Sequence, residues 1–167
     1  MGAIVDHGNT HAIVMGGSMA GLLAARVLSD HFARVTLLER DVLPHGVAQR
    51  RGVPQGQHTH GLLAGGRQAL DRLFPGFSRE LVESGAVPGD IVRDVRWFFE
   101  GAPLARPTSG MDGLMATRPF LEARVRSRVR AIPNVTVRDG CQVAGLSAAH
   151  AHDRVTGVTL SADETIE

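Results

Sequence analysis

The chain has 167 residues, 43% of them hydrophobic, with eighteen basic residues against seventeen acidic ones and a formal charge of +1. That length suffices for one domain with its own core, and the near-neutral charge gives no bulk attraction for nucleic acid. All eighteen basic residues are arginine, so Schiff-base chemistry on a lysine and the lysine of a phosphate-binding P-loop are both excluded.

Residues 1–11 carry no basic start and no apolar stretch, so no signal peptide is expected there, and residues 1–10 are expected to be disordered. His11–Gly16 (HAIVMG) is a short apolar run ending in glycine, as in a buried parallel strand. From Met19 to Phe32 the pattern is helical, with Ala20, Leu23, Ala24, Val27 and Leu28 predicted as the buried stripe. Val35–Glu39 (VTLLE) is a second strand ending in an acid, which makes a βαβ unit. Residues 40–61 hold two prolines and four glycines and read as a long, functional loop.

Leu62–Phe74 is predicted helical, with Leu63, Leu70, Leu73 and Phe74 on one face, and Pro75-Gly76 ends it before a shorter helix over Ser78–Ser84. Residues 91–106 read as strands around a Glu100-Gly101 turn. Pro119–Ile132 is the best helix of the second half; Leu121, Val125, Val129 and Ile132 share a side, and Arg124 and Arg128 form a solvated one. Three strands follow at Val135–Arg138, Gln142–Leu146 and Val155–Leu160, and Ser161–Glu167 are expected to trail off without structure. The lone Cys141 cannot pair internally, and no apolar run reaches the roughly 18 residues of a membrane span. A soluble, cytoplasmic protein is expected, with no membrane partner.

The turn Gly16-Gly17-Ser18-Met19-Ala20-Gly21 has the spacing of a dinucleotide-binding loop. Gly16 permits a tight turn out of the strand, the middle position lets backbone approach a pyrophosphate, and Gly21 lets the helix pack closely. The helix N-terminus then offers N–H groups and partial positive charge to phosphates. Glu39, 23 residues after Gly16, stands where its carboxylate can accept hydrogen bonds from ribose hydroxyls, and its charge disfavours a 2′-phosphate there. Ser18 replaces the second glycine of the motif. A turn that only links strand to helix is the alternative.

Around these motifs, the segments VMGGSMAGLLAARVL (14–28), VTLLER (35–40), RRGVPQGQHTHGLL (50–63), ATRPFLEARVRSRV (116–129) and NVTVRDGCQVAGL (134–146) cover most of the chain. In that order they resemble flavoprotein monooxygenases of the aromatic-ring hydroxylase class, more narrowly bacterial FAD-dependent monooxygenase-like oxidoreductases. The resemblance implies an α/β, Rossmann-like FAD-binding domain over 11–167, with a βαβ start, a parallel sheet with helices and a β-meander. It is expected to be C-terminally incomplete, with the substrate domain absent.

By the same resemblance Gly16, Gly17, Ser18 and Gly21, with Met19 and Ala20 between them, would hold the FAD pyrophosphate, and Glu39 the ribose. Arg40 would lie near the adenine. Arg50 or Arg51 would reach the phosphates or ribityl chain, Arg118 the ribityl–phosphate portion, and the backbone at Val143 the adenine. Planar guanidinium groups suit phosphate oxygens; surface charge is the alternative for each. His58 and His60 lack accompanying cysteines or carboxylates, so no metal is expected, and their roles stay open.

The implied chemistry is reduction of FAD by NAD(P)H and oxygen transfer to a small organic substrate; no residue is read as its catalytic base. The family's later Asp-Gly and Gly-Asp segments are absent, so a fragment, not competent alone and lacking a C-terminal half, is expected. Two other readings stand beside this one. An NAD-dependent dehydrogenase domain predicts further βα repeats after Glu39, and a truncated remnant without catalysis, or a module acting with a partner chain, predicts missing flavin motifs.

Overall fold

The computed structural model describes residues 10–58, 60–150, 153–162 and 164–167. The expected disorder over 1–10 falls, apart from Thr10, outside the described residues. In chain order the elements are β1 (His11–Met15), α1 (Met19–Leu28), β2 (Arg34–Leu38), a 3-10 turn (Pro54–Gln57), β3 (Gly61–Leu62), α2 (Ala64–Leu73), α3 (Phe77–Glu83) and β4 (Val87–Asp90). Then come β5 (Phe98–Phe99), β6 (Ala102–Pro103), β7 (Asp112–Met115), α4 (Arg118–Arg130), β8 (Val135–Arg138), β9 (Val143–Ala148), β10 (Val155–Leu160) and β11 (Thr165–Ile166). They fall into two units, Met1–Val47 with Val125–Glu167, and Ala48–Arg124. Among the described residues no helix is long and apolar enough to cross a membrane.

The first unit is built on a parallel sheet in the order β1-β2-β8. β2 is the central strand, and Val35 to Leu38 are all buried, the near-continuous apolar run of a strand covered on both faces. Side chains alternate across it. Leu37 lies on the side of the glycine turn, as does Val14 of β1. Leu38 packs instead with Ile13 of β1 and with Val158, Leu160 and Val143 of the antiparallel sheet β11-β10-β9. Asn134, just before β8, donates its Nδ2 to the carbonyls of Ser29 and Phe32 at 2.9 Å each, which ties the chain after α1 to the start of β8. Ser161–Glu167 do not trail off: β11 pairs with β10, and Arg138 and Glu164 form a two-bond ion pair at 2.7 and 2.8 Å.

One expectation is reversed in α1. Its buried residues are Leu22 and Ala25, both with no exposed surface, whereas Ala20, Ala24 and Val27 are exposed. The helix is also shorter than predicted, because Ser29 caps its own turn through Oγ to the Arg26 carbonyl and the chain leaves the helix there. The face is chosen by Gly21. Its missing side chain lets α1 meet the end of β1, and residues one and four further on are carried to the sheet.

The second unit holds the antiparallel sheet β3-β7-β4 and the hairpin β5-β6. The hairpin turns at Glu100 and Gly101, both with positive φ (49° and 81°), as a tight two-residue turn requires. Its core is Leu70, Phe74, Phe77, Leu81 and Leu114, and the two phenylalanine rings lie 5.8 Å apart. Fully burying a side chain such as Phe77 contributes roughly 1.5–3 kcal/mol. Leu63, predicted with Leu70 on the buried face, is the exposed N-cap of α2. Asp90, 1% exposed, accepts from the backbone of Val92, Arg93, Ser109 and Gly110 and from the Ser109 hydroxyl, and so fastens two loops together. Residues of α4 up to Arg124 belong to this unit, and those from Val125 to the first.

Candidate functional site

The glycine turn leaves β1 with Gly16 at φ +100°, a conformation that L side chains rarely adopt, and Gly16 N–H closes onto the Leu38 carbonyl at 2.7 Å. Ser18 is the extended N-cap of α1, and Met19 and Ala20 are its first helical residues. A Cβ on Gly21 would lie 1.8 Å from the Gly16 carbonyl oxygen, so only glycine fits. Helix and strand end therefore approach as the spacing predicts. The first turn of α1 carries no acidic residue, so its positive end meets no acid of its own.

Glu39 follows β2 and is 6% exposed. Its Oε2 accepts the Gly17 N–H at 2.8 Å and its Oε1 the Asp41 N–H at 3.0 Å. The acid expected to meet a ribose is thus also bonded to the middle of the turn. Backbone donors fix the carboxylate plane, and a carboxylate has about four lone-pair sites in all. Arg40, next in the chain, is 71% exposed at its side chain and approaches Asp41 only at 3.7 Å. Val143 opens β9, pairs with Leu160 and packs on the Leu38 cluster.

In the second unit Arg50 is buried and Arg51 exposed. Arg50 Nη1 meets Glu122 Oε1 at 2.6 Å, and Arg118 Nε lies 3.5 Å from Glu122 Oε2. Glu122, 3% exposed, was absent from the residues singled out in the sequence. Half of its signal was visible, since Arg118 and Glu122 stand one helical turn apart; Arg50, 72 residues away, gave none. A small, open pocket adjoins these three residues, with Gln49, Val53 and Pro119 also in its wall. Arg124, read as purely solvated, lies 5.3 Å over the Phe120 ring and 4.0 Å from Glu80.

Among the described residues no three His, Cys, Asp or Glu side chains are grouped to hold a metal ion. His58 is exposed and His60 half-buried, in a stretch that has Thr59, outside the described residues, between them.

No protein-family model matches the chain. Protein Rv3254 of Mycobacterium tuberculosis is 40% identical over 138 residues, which is 80% of this chain and 29% of that protein. Among solved structures, 2-methyl-3-hydroxypyridine-5-carboxylic acid oxygenase matches with a TM-score of 0.68 at 22% identity, over 95% of this chain and 37% of its own. PqsL of Pseudomonas aeruginosa, described as a probable FAD-dependent monooxygenase, matches with a TM-score of 0.66 at 14% identity, over 94% and 39%. PqsL has also been crystallised with 2-aminobenzoylacetate. The chain therefore has the fold of FAD-dependent monooxygenases over nearly all its residues, and spans less than half the length of these relatives.

Proposed function

We propose that this chain is the Rossmann-like, FAD-binding part of a flavin-dependent monooxygenase or hydroxylase. The observation that carries the reading is the meeting of three features at one point: the Gly16 turn, the start of α1, and the buried Glu39 carboxylate bonded to Gly17. A cofactor with a pyrophosphate next to a ribose needs that combination.

The residues fit FAD on their own terms. The close approach at Gly21 sets the turn from Gly16 through Ser18, Met19 and Ala20 at the start of α1, where phosphate oxygens would meet the positive end of the helix. Glu39 supplies acceptors for ribose hydroxyls, and exposed Arg40 a cation beside the adenine. Arg50, Arg51 and Arg118 offer guanidinium groups to phosphate or ribityl oxygens, and the backbone at Val143 an edge for the adenine. FAD, when bound, would supply the redox chemistry, with NAD(P)H as the reductant and O2 as the source of the oxygen atom added to a small organic substrate. The chain's own part is to bind and orient, and the remaining length of the longer relatives would complete the substrate site.

The course of the chain supports FAD over the NAD-dehydrogenase alternative. After β2 there is no immediate βα repeat. The chain forms all of Ala48–Arg124 before β8 joins β2. Purified protein with bound flavin absorbance, or one that takes up FAD on titration and NAD only weakly, is the expected result. Equal uptake of NAD, or uptake of neither, contradicts it.

A further inference from the structure

Between β4 and β7 the chain makes an excursion over residues 91–111 that carries the hairpin β5–β6. Its neck is fastened, because Asp90 accepts from the amides of Val92 and Arg93 at one end and of Ser109 and Gly110 at the other. Two bonds brace it from within: Trp97 Nε1 donates to the Ile91 carbonyl at 2.8 Å, and Arg106 Nε to the Arg93 carbonyl at 2.6 Å. The side chains it presents are nonetheless apolar. Trp97, Phe98 and Phe99 are 48%, 63% and 66% exposed, and Leu104 and Met111 are exposed beside them. The whole chain has one tryptophan and six phenylalanines, so three of its aromatic side chains stand in water on this one hairpin. An apolar group of that size on a loop held in place marks a contact surface.

The backbone decides which edge of the hairpin is open. The Leu104 amide donates to the Trp97 carbonyl at 2.9 Å, and the strands close at Phe99 and Ala102 beside the Glu100-Gly101 turn. Backbone groups alternate between the two sides of a strand, so the N–H and C=O of Phe98, opposite Pro103, face away from β6. On β6 the outward place belongs to Pro103, which has no N–H to donate and so guards that edge. β5 has no such guard. Arg96 lies two residues before Phe98 and Glu100 two after, both exposed and neither with an ion-pair partner among the described residues. Like charges there would repel a second copy, whereas opposite charges fit one.

We propose that β5 pairs antiparallel with β5 of a second copy of this chain, about a two-fold axis at Phe98, to give a four-stranded sheet β6-β5-β5-β6. In that register the outward N–H and C=O of Phe98 bond to those of the partner's Phe98. Trp97 lies opposite the partner's Phe99, and Arg96 opposite the partner's Glu100, and the two-fold makes each of these contacts twice. Three aromatic side chains exposed to this extent bring roughly 300–400 Å² per copy. Stable complexes bury roughly 800 Å² a side, so this dimer is a weak one that forms at micromolar or higher concentration.

Trp97 is the sole tryptophan, so its fluorescence reads this surface directly. Sedimentation equilibrium and Trp97 emission are followed on the whole chain as its concentration rises. The expected result is a mass that passes from one chain to two, with a blue shift of the emission over the same range. Phe98→Pro removes the outward N–H and leaves the Trp97–Leu104 and Phe99–Ala102 positions alone, and it should weaken the dimer on the order of ten-fold. Arg96→Glu and Glu100→Arg, each alone, set like charges opposite one another and should weaken it to a similar degree. The two variants mixed should regain the dimer, because each then faces the opposite charge. Single variants that pair as tightly as wild type, or no gain on mixing them, overturn the β5 register. A chain that stays single at every concentration, with the emission of a water-exposed indole, overturns the second copy as occupant. Emission that shifts only when phosphatidylcholine vesicles are added, the chain staying single in solution, assigns the face to a lipid surface and overturns it too. Circular dichroism establishes that each variant is folded; should the Pro variant not fold, the charge variants carry the test.

Discussion

Gly17 and Glu39 are directly bonded: the Gly17 amide donates to Glu39 Oε2 over 2.8 Å, with both residues buried. The acid at the end of β2 therefore braces the loop as well as facing it. Glu39→Ala leaves the Gly17 and Asp41 amides without that acceptor and should cost about 1–3 kcal/mol in urea unfolding. Glu39→Gln keeps one acceptor oxygen, so its stability loss should be smaller while FAD affinity still falls on the order of ten-fold. Fluorescence titration beside unfolding separates the two effects.

Gly21→Ala tests the close approach of α1 to β1. Helix propensity alone favours alanine by about 1 kcal/mol. The added Cβ would meet the Gly16 carbonyl oxygen at 1.8 Å, however, and that oxygen is backbone and cannot rotate away. A net destabilisation of roughly 1–3 kcal/mol is expected, with loss of FAD binding. Stabilisation in urea melts would show that the approach is looser than described.

Removing Arg50 takes the 2.6 Å ion-pair partner away from the buried Glu122 carboxylate. Arg50→Met should destabilise by about 3–5 kcal/mol, and the double change Arg50→Met with Glu122→Leu should recover most of it. A double-mutant cycle by chemical denaturation reads the difference.

Asp90 sets a pH dependence. The hydrogen bond from the Ser109 hydroxyl, with backbone bonds from Arg93, Ser109 and Val92, holds its carboxyl far below the usual carboxylate range, against desolvation that pushes it up. Its pKa is lower folded than unfolded, so its stabilisation is present above the ordinary aspartate value of about 3.9 and is lost as pH falls below it. Melting temperature should decline on acidification through that range. Asp90→Asn should be less stable at neutral pH and show a shallower decline; an unchanged slope would contradict the assignment.

The elements that were legible in the sequence are those set by local chemistry. β1, β2 and the face of α4 with Leu121, Val125 and Val129 follow from apolar period, and the β5–β6 hairpin from Glu100-Gly101. The face of α1 was not legible, because alanines and leucines stand on both sides and only the Gly21 contact chooses between them. β4, β7 and β11 are two to four residues long, with Pro88, Gly89 and Gly113 among them, and owe their existence to partners across the sheet. β8 was visible as a strand, but its parallel pairing with β2 depends on a return of the chain after 96 residues, from Glu39 to Asn134. In the site, Glu39 was legible as an acid after a strand, while its bond to Gly17 and the bond of Glu122 to Arg50 are long-range facts.

The most direct test of the FAD reading is the melting temperature of this chain with FAD and with NAD, each at the same concentration. At FAD one hundred times its dissociation constant, binding adds about 2.7 kcal/mol, which for a chain of this size raises the melting temperature by roughly 5–10 °C. A rise of that order with FAD, and little or none with NAD, is the predicted result. Equal rises with both, or no rise with FAD, would contradict it.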